Sequence, residues 1–495
     1  MAYSMAMDTH ATLPPALWDL LPSEVQAYIR ALEARLESLE RLEARVHTLQ
    51  EQVRTLEERL NQNSRNSSRP PSSDPPQAQR PKRPRSQRRR GAQPGHRGQT
   101  RTLLPVEDVH QVVPIKPDQC AGCHVPLTGD DPTPFRHQVI EIPLIEPVVT
   151  EYQWHQLVCL ACGETTRAPW PKGVPSGTYG PRVHATVALC SGSYRLSKRT
   201  TVQAIGDLFG VPMSVGTISQ SEKTTTEVLA EPVEAARGYV EDQGVAHLDE
   251  TSWREAGKRA WLWVAVTSWV TVFVVRLSRG GAVARELLGE GFSGILVTDR
   301  YSAYSWYSVR WRQLCWSHLL RDFEAIRGRG GASEEIGEAL LEQAHQMFSW
   351  WHRVRDGTLK RSTFRSYMTP LRQEVERLLE AGSQCGVANT EGTCREIFKR
   401  RQALWTFVQV EGVEPTNNTA ERSIRPGVQW RKGSFGTQSE AGSRFVESML
   451  TVVTTLKQQN RNVLDYLIAA HEAALHGAPT PSLLPAPEQK SQAAA

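Results

Sequence analysis

The hydrophobic positions of the chain change period several times, and each change marks an element. From Ala31 to Leu60, leucines and valines recur at three- and four-residue steps. Leu32, Leu36 and Leu39 share one heptad register, and Leu42, Val46, Leu49, Val53, Leu56 and Leu60 share another. The three-residue step between the sets is a stammer, which overwinds a coiled coil locally. Glu and Arg flank the seam, so the pattern predicts a self-associating coiled coil over 30–62. A single amphipathic helix folded onto the body has the same signature. Apolar residues then nearly vanish, predicting a disordered linker over 63–104. VIEIPLI (139–145) and VVTEYQWHQLV (148–158) are extended runs, predicting a β-hairpin inside a module spanning 105–175. Between 197 and 230 the period turns helical. One helix should end at Phe209-Gly210, a turn with Pro212 follows, and Ser214 should cap a second. That is helix-turn-helix spacing inside a helical domain at 176–240, although an ordinary helical hairpin fits it equally.

From Gly244 the pattern becomes that of strands. GVAHLDETSW reads as one strand, and AWLWVAVTSWVTVFVV (260–275) as two buried strands broken at TSW. The latter run is short for a membrane span and is interrupted by Thr267, Ser268 and Thr271. GGAVARELLGEG is a helix, and SGILVTDRYSAY a buried strand ending at Asp299. Three strands, a helix and a strand is the order of the ribonuclease-H-like fold, in which the first and fourth strands are neighbours. The core is expected at 241–325 and again at 415–475. A helical insertion over 326–414 divides it, and segments 1–29 and 476–495 flank the whole. The fold class expected is a multidomain α/β protein: a ribonuclease-H-like mixed sheet core with a helical insertion, preceded by a coiled coil, a zinc-binding β module and a helix-turn-helix.

Charge sharpens this picture locally. Lys and Arg number 58 against 53 Asp and Glu over 495 residues, a net +5. Nine of those cations fall between Arg80 and Arg101 with no acid among them, leaving 49 cations against 53 carboxylates elsewhere. A basic segment on a near-neutral body predicts an arm for a polyanion, with Arg88, Arg89 and Arg90 at its densest point; a solvated linker is the plainer alternative. No basic start followed by an apolar core opens the chain, which predicts a cytoplasmic protein.

Three groups of residues carry candidate chemistry. Cys120-Ala-Gly-Cys123 and Cys159-Leu-Ala-Cys162 are two CxxC pairs separated by 35 residues. Four thiolates make a closed tetrahedral site suited to one structural Zn²⁺, with no open position for catalysis. In the second helix of the helical pair, Thr217, Ser219, Gln220 and Lys223 are placed to reach base edges or phosphates. Asp249 and Asp299 follow apolar residues at strand positions, where an ionised group is costly unless paired or bound to metal. Two Mg²⁺ ions (or Mn²⁺) at such a cluster are what phosphoryl transfer uses, and three carboxylates suffice if phosphate and water complete the shells. Glu421, in PTNNTAERSIRP (415–426), sits where a third ligand returns to the sheet. Asn418 as N-cap with Glu421 at the third helical position of a capping box is the purely structural reading of that stretch. Arg422, Arg425, Arg431 and Lys432 beyond it are candidates for phosphate contact. Cys315 and His318 share a helical face, and their role stays open between metal ligation and packing.

Taken in order, the leucine-rich helix, NSSRPPSSD, GAQPGHRG, the paired CxxC module, LSKRTT, HLDET, TDRYSAY, CWSHLLRDF and TNNTAERSIRP resemble a transposase of the insertion sequence 66 family from about residue 30 to 475. The resemblance implies a DDE transposase with a ribonuclease-H-like core, and its triad falls on Asp249, Asp299 and Glu421. The segment RKGSFGTQSEAG departs from the LFxGS-like pattern of many members, so no role is carried over beyond Arg422. The function expected is binding of the ends of an insertion sequence, then metal-dependent strand cleavage and strand transfer into target DNA. The partners are DNA and a second copy through the coiled coil; accessory proteins are left open and no membrane is involved. Two rivals share its DNA binding: a zinc-containing regulator with an inactive catalytic fold, and a structure-specific nuclease.

Overall fold

The computed structural model describes residues 18–67 and 101–486. In chain order its elements are α1 (Ser23–Leu60), β1 (Gln156–Val158), β2 (Thr165–Arg167), α2 (Pro181–Ala188), α3 (Lys198–Phe209), α4 (Val215–Val228) and α5 (Ala230–Glu241). Then come β3 (Val245–Glu255), β4 (Lys258–Val266), β5 (Thr271–Arg276), α6 (Gly281–Leu288), β6 (Ile295–Thr298), β7 (Arg312–Leu314) and α7 (Trp316–Arg327). The remainder is helical: α8 (Ala332–Arg355), α9 (Arg361–Gly382), α10 (Ala388–Lys399), α11 (Thr406–Gln409), α12 (Asn418–Ser434), α13 (Glu440–Gln458) and α14 (Val463–His476). The described chain divides into two compact units, one from residues 18–67, 234–431 and 484–486, the other from 101–233 and 432–483.

The first unit is built on a five-stranded mixed sheet in the order β5-β4-β3-β6-β7. β3, β4 and β5 form an antiparallel meander, whereas β6 lies parallel to β3 and β7 parallel to β6. The β3–β4 turn is tight because Ala256 and Gly257 both take positive φ (48° and 76°), the two-residue geometry that matches strand twist. Every residue of β6 is buried, and so are Leu262–Val266 on β4 and Thr271–Val275 on β5, as the unbroken apolar run predicts for strands covered on both faces.

The segment between β7 and α12 does not make a separate core. Ile295, Val297 and Leu314 of the sheet join Trp316, Leu319 and Phe323 of α7 in one apolar cluster. That cluster continues into Leu340 and Met347 of α8, Phe364 and Leu371 of α9, and Trp405 and Phe407 near α11. Helix α7 therefore belongs to both layers. α1 starts at Ser23, ahead of the heptad pattern, and runs 38 residues. Leu32 to Leu60 remain largely exposed along it, and Glu58 near its end accepts from Asn389 at 2.6 Å and pairs with Arg329 at 3.4 Å.

In the second unit, α3 and α4 have the ends that the sequence predicts. Ser197 and Ser214 cap them through Thr200 and Thr217 N–H groups, and Gly210 closes α3 in the left-handed region at φ 64°. Val187, Ile205 and Ile218 form a small core. α13 and α14 pack on α2 and α4, so residues beyond Lys432 complete this unit, although they were expected within a second core segment of 415–475. Gly192 makes the approach of α13 possible, since a Cβ there would meet the Met449 side chain at 2.7 Å. VIEIPLI forms no strand and its apolar side chains are exposed; the hairpin of this region is the short β1–β2 pair, which brackets only the second CxxC.

Candidate active site

The β3–β6 register pairs His247 with Val297. Asp249 and Asp299 each lie two residues further along these parallel neighbours, so the topology puts their carboxylates side by side. Asp249 Oδ1 accepts the Glu250 N–H at 2.9 Å, and Asp299 Oδ1 accepts the Tyr301 N–H at 2.9 Å in an Asx-type turn as the chain leaves β6. Burial pushes the Asp249 carboxyl well above the usual carboxylate range, and Glu250, Asp299 and Glu421 add to the shift in that order. The two aspartates and the glutamate thus share one electrostatic neighbourhood.

Glu421 arrives there through a clamp at the start of α12. Asn417, not Asn418, is the residue before the helix: its carbonyl accepts the Glu421 N–H at 3.1 Å. Asn418 is already helical, and Glu421 is the fourth helical residue, which removes the capping-box reading of the pair. The buried Asn417 side chain points at β3 instead. Its Nδ2 donates to Leu248 O at 2.7 Å and its Oδ1 meets His247 Nδ1 at 3.1 Å. Its backbone N–H donates to Cys315 Sγ at 3.1 Å, and the Trp316 N–H reaches Pro415 O at 2.9 Å. These bonds fix the first turn of α12 against both the strand carrying Asp249 and the start of α7.

A family model described as "Transposase IS66 family" matches residues 176–444, more than half of the chain. The chain belongs to the transposase IS66 family. A second model, a family of unknown function (DUF6444), matches residues 12–102. The "Uncharacterized protein y4qI" of Sinorhizobium fredii (strain NBRC 101917 / NGR234) is 32% identical over 205 residues, 37% of this chain and 36% of that protein. The match therefore spans about a third of the relative's length.

Around the acids, this IS66-family chain places Glu250, Arg279, Tyr304 and Arg321, which the sequence did not single out, beside Cys315 and His318, which it did. Glu250, adjacent to Asp249, has a side chain that is almost fully buried. It accepts from Arg279 Nη2 at 2.7 Å and Nε at 3.1 Å, and from the Tyr304 hydroxyl. Arg279 lies 3.9 Å over the Tyr301 ring. The only hint in the sequence was the doubled acid of HLDET and the tyrosines of TDRYSAY, neither of which names its partner. On the other side, His318 Nδ1 lies 3.6 Å and Arg321 Nη2 3.8 Å from Glu421 Oε1. Burial lowers the His318 imidazole to about 4, aided by Arg321, and raises the Cys315 thiol to about 11. Glu421 is raised by burial, with Arg321 opposing and Asp299 adding. Cys315, His318 and Glu421 are the one set of three or more potential ligands whose donor atoms meet within 4.8 Å among the described residues.

The oxygens of Asp249, Asp299 and Glu421 do not all lie within 4.8 Å of one another, while their chemistry suits a divalent cation. The charges of Asp299 and Glu421 press on the buried Asp249 carboxyl, and Glu421 Oε1 is buried without a hydrogen-bond partner. Both features are relieved by a hard cation, for which carboxylate oxygens are the natural ligands.

The other candidates divide by place. Arg422, Arg425 and Lys432 are exposed on α12, while Arg431 is half-buried and donates to the Ser252 carbonyl at 2.5 Å and to Thr251 Oγ1 at 3.1 Å. On α4, Gln220 and Lys223 are exposed; the Thr217 hydroxyl is engaged with Ser214 Oγ at 3.0 Å. Arg88, Arg89 and Arg90 lie outside the described residues. Cys120 and Cys159 start two knuckles of the same design. Cys120 donates to Val125 O at 2.9 Å and accepts from the His124 N–H at 2.9 Å; Cys159 donates to Glu164 O and accepts from the Gly163 N–H, both at 2.8 Å. His124 and Gly163 both take positive φ, 58° and 76°. The N–H groups of Cys123 and Gly122 lower the Cys120 thiol, and those of Cys162 and Ala161 lower Cys159. No three of the four sulfurs lie within 4.8 Å of one another.

Proposed function

We propose that the chain is a DNA transposase of the DDE type, in which Asp249, Asp299 and Glu421 form the catalytic centre of a ribonuclease-H-like core. The carrying observation is the shared field of the three acids, one on β3, one just past the end of its parallel neighbour β6 and one from the first turn of α12. Family membership supports the reaction class, and the sheet order, with the first and fourth strands paired, supports the fold. Two divalent ions, when bound, supply activation of the attacking oxygen and stabilisation of the leaving one.

The chain's own contribution is to hold the three carboxylates at fixed places. Asn417 holds the Glu421 turn, and Arg279 with Tyr304 holds the Glu250 carboxylate in place beside Asp249. Arg422 and Arg425, exposed beside Glu421, contact DNA phosphates, and Arg431 braces α12 on β3. Gln220 and Lys223 on α4 bind the element's ends as the second helix of a helix-turn-helix, and the Arg88–Arg90 arm adds phosphate contacts. The two equal knuckles close around one structural Zn²⁺ as a Cys120, Cys123, Cys159 and Cys162 site, a reading supported by their matched backbone and lowered thiols. The exposed heptad face of α1 pairs with that of a second copy.

The test compares Asp249→Asn, Asp299→Asn and Glu421→Gln for Mg²⁺-dependent end cleavage and for end binding. Each should bind ends like the wild type and fail to cleave. Substantial cleavage surviving in any one removes that residue from the centre.

A further inference from the structure

We propose that His318 is a nitrogen ligand to the cation held by Glu421, which makes this side of the centre a mixed nitrogen–oxygen site that admits a first-row transition cation ahead of Mg²⁺. The inference rests on the reading of Glu421 as a metal ligand and adds a donor of different chemistry.

Two separate elements aim these atoms at each other. His318 is the third residue of α7 and Glu421 the fourth of α12, and the two helix starts are joined through Asn417, Cys315 and Pro415. His318 Nδ1 and Glu421 Oε1 are 3.6 Å apart, longer than a hydrogen bond. Both atoms are sealed from solvent and neither has a hydrogen-bond partner. Leaving a buried polar atom unmatched costs about 1–3 kcal/mol, so two such atoms facing one another call for a common partner. A cation at about 2.1 Å from each satisfies both at once.

The third neighbour is already spoken for. Cys315 Sγ lies within 4.8 Å of the other two donor atoms but accepts the Asn417 N–H at 3.1 Å, so its part is to seat the clamp. The neutral imidazole suits transition cations, whereas Mg²⁺ takes oxygen donors and keeps its waters. An all-carboxylate centre has no such preference built in. One histidine on this face therefore bears on which metal the centre selects.

The full-length protein, loaded with Mn²⁺ as the probe, gives a direct readout by electron spin-echo envelope modulation. A ¹⁴N coupling from an imidazole is expected in the wild type and absent in His318→Gln. Equilibrium titration should show Mn²⁺ affinity falling about 10-fold or more in that variant, with Mg²⁺ affinity changed far less. Glu421→Gln should weaken both ions. Absence of the ¹⁴N coupling in the wild type overturns the proposal without needing any variant to fold. So does a His318→Gln protein that keeps wild-type Mn²⁺ affinity while Glu421→Gln loses it, an outcome that leaves the proposed function intact. Wild-type binding of both ions by Glu421→Gln instead removes the reading of Glu421 on which the inference stands.

Discussion

Asn417→Ala tests the clamp that carries Glu421 to the sheet. The side chain is 1% exposed and makes two bonds, to the Leu248 carbonyl at 2.7 Å and to His247 Nδ1 at 3.1 Å. Truncation leaves both buried partners without the Asn417 bond, at about 1–3 kcal/mol each, so the loss of stability should fall on the order of 2–6 kcal/mol. A domain stable by about 10 kcal/mol, the middle of the usual range, remains folded after that loss. The effect on chemistry is of a different kind. With the first turn of α12 no longer tied to β3, Glu421 drifts from Asp249, and a displacement near 1 Å costs about 100-fold in rate. End binding should stay at the wild-type level, because Asn417 is buried and faces the protein. Urea unfolding gives the first quantity, and single-turnover end cleavage with Mg²⁺ the second. A wild-type unfolding midpoint together with a wild-type cleavage rate would refute the clamp.

Three further outcomes follow from the same geometry. Asp249 has a raised carboxyl in the folded protein, so the stability it contributes is fully present below the ordinary carboxylate value and is lost as pH rises from there through its raised folded value. Asp249→Asn should therefore melt higher than the wild type without metal and gain less from added Mg²⁺, as differential scanning calorimetry would record. His247 and His471 are buried and lowered to about 4, so the stability they contribute is present above the ordinary histidine value of 6.5 and is lost as pH falls toward 4. For His247 alone this amounts to on the order of 3 kcal/mol; His247→Asn should lose correspondingly less than the wild type between pH 7 and pH 5. Purified protein should carry about one Zn²⁺ per chain at the paired cysteines, and replacement of Cys120, Cys123, Cys159 and Cys162 by serine should lower the Zn²⁺ content by about one per chain, read by atomic emission; an unchanged Zn²⁺ content in that variant contradicts the zinc module.

What the sequence disclosed and what it hid divide along the range of the interactions. Local chemistry was legible. The unbroken apolar runs of β4, β5 and β6 announced strands covered on both faces, and Gly210 and Ser214 stood where the ends of α3 and α4 lie. Asp249 and Asp299 stood out because each breaks an apolar strand. The clamp was not legible, because it joins residues 169 and 170 positions apart and nothing local distinguishes Asn417 from Asn418. The two adjacent asparagines differ only in what faces them: one meets β3, the other begins the helix. Glu250 was passed over for the same reason, since its buried state depends on Arg279 and Tyr304 from two later segments. The division of the chain also depends on distant packing. α13 and α14 carry an amphipathic pattern that suits any apolar partner, and only the fit of Met449 over Gly192 shows which one they take.

The most direct test of the catalytic centre is localised chain scission by Fe²⁺ substituted for Mg²⁺ in the full-length protein, with ascorbate and peroxide. Radicals formed at a bound ion cut the backbone nearby. The account predicts three groups of fragments, ending near Asp249, Asp299 and Glu421, all suppressed together by excess Mg²⁺. Cuts confined to one of these segments, or lying elsewhere in the chain, would contradict a shared metal centre.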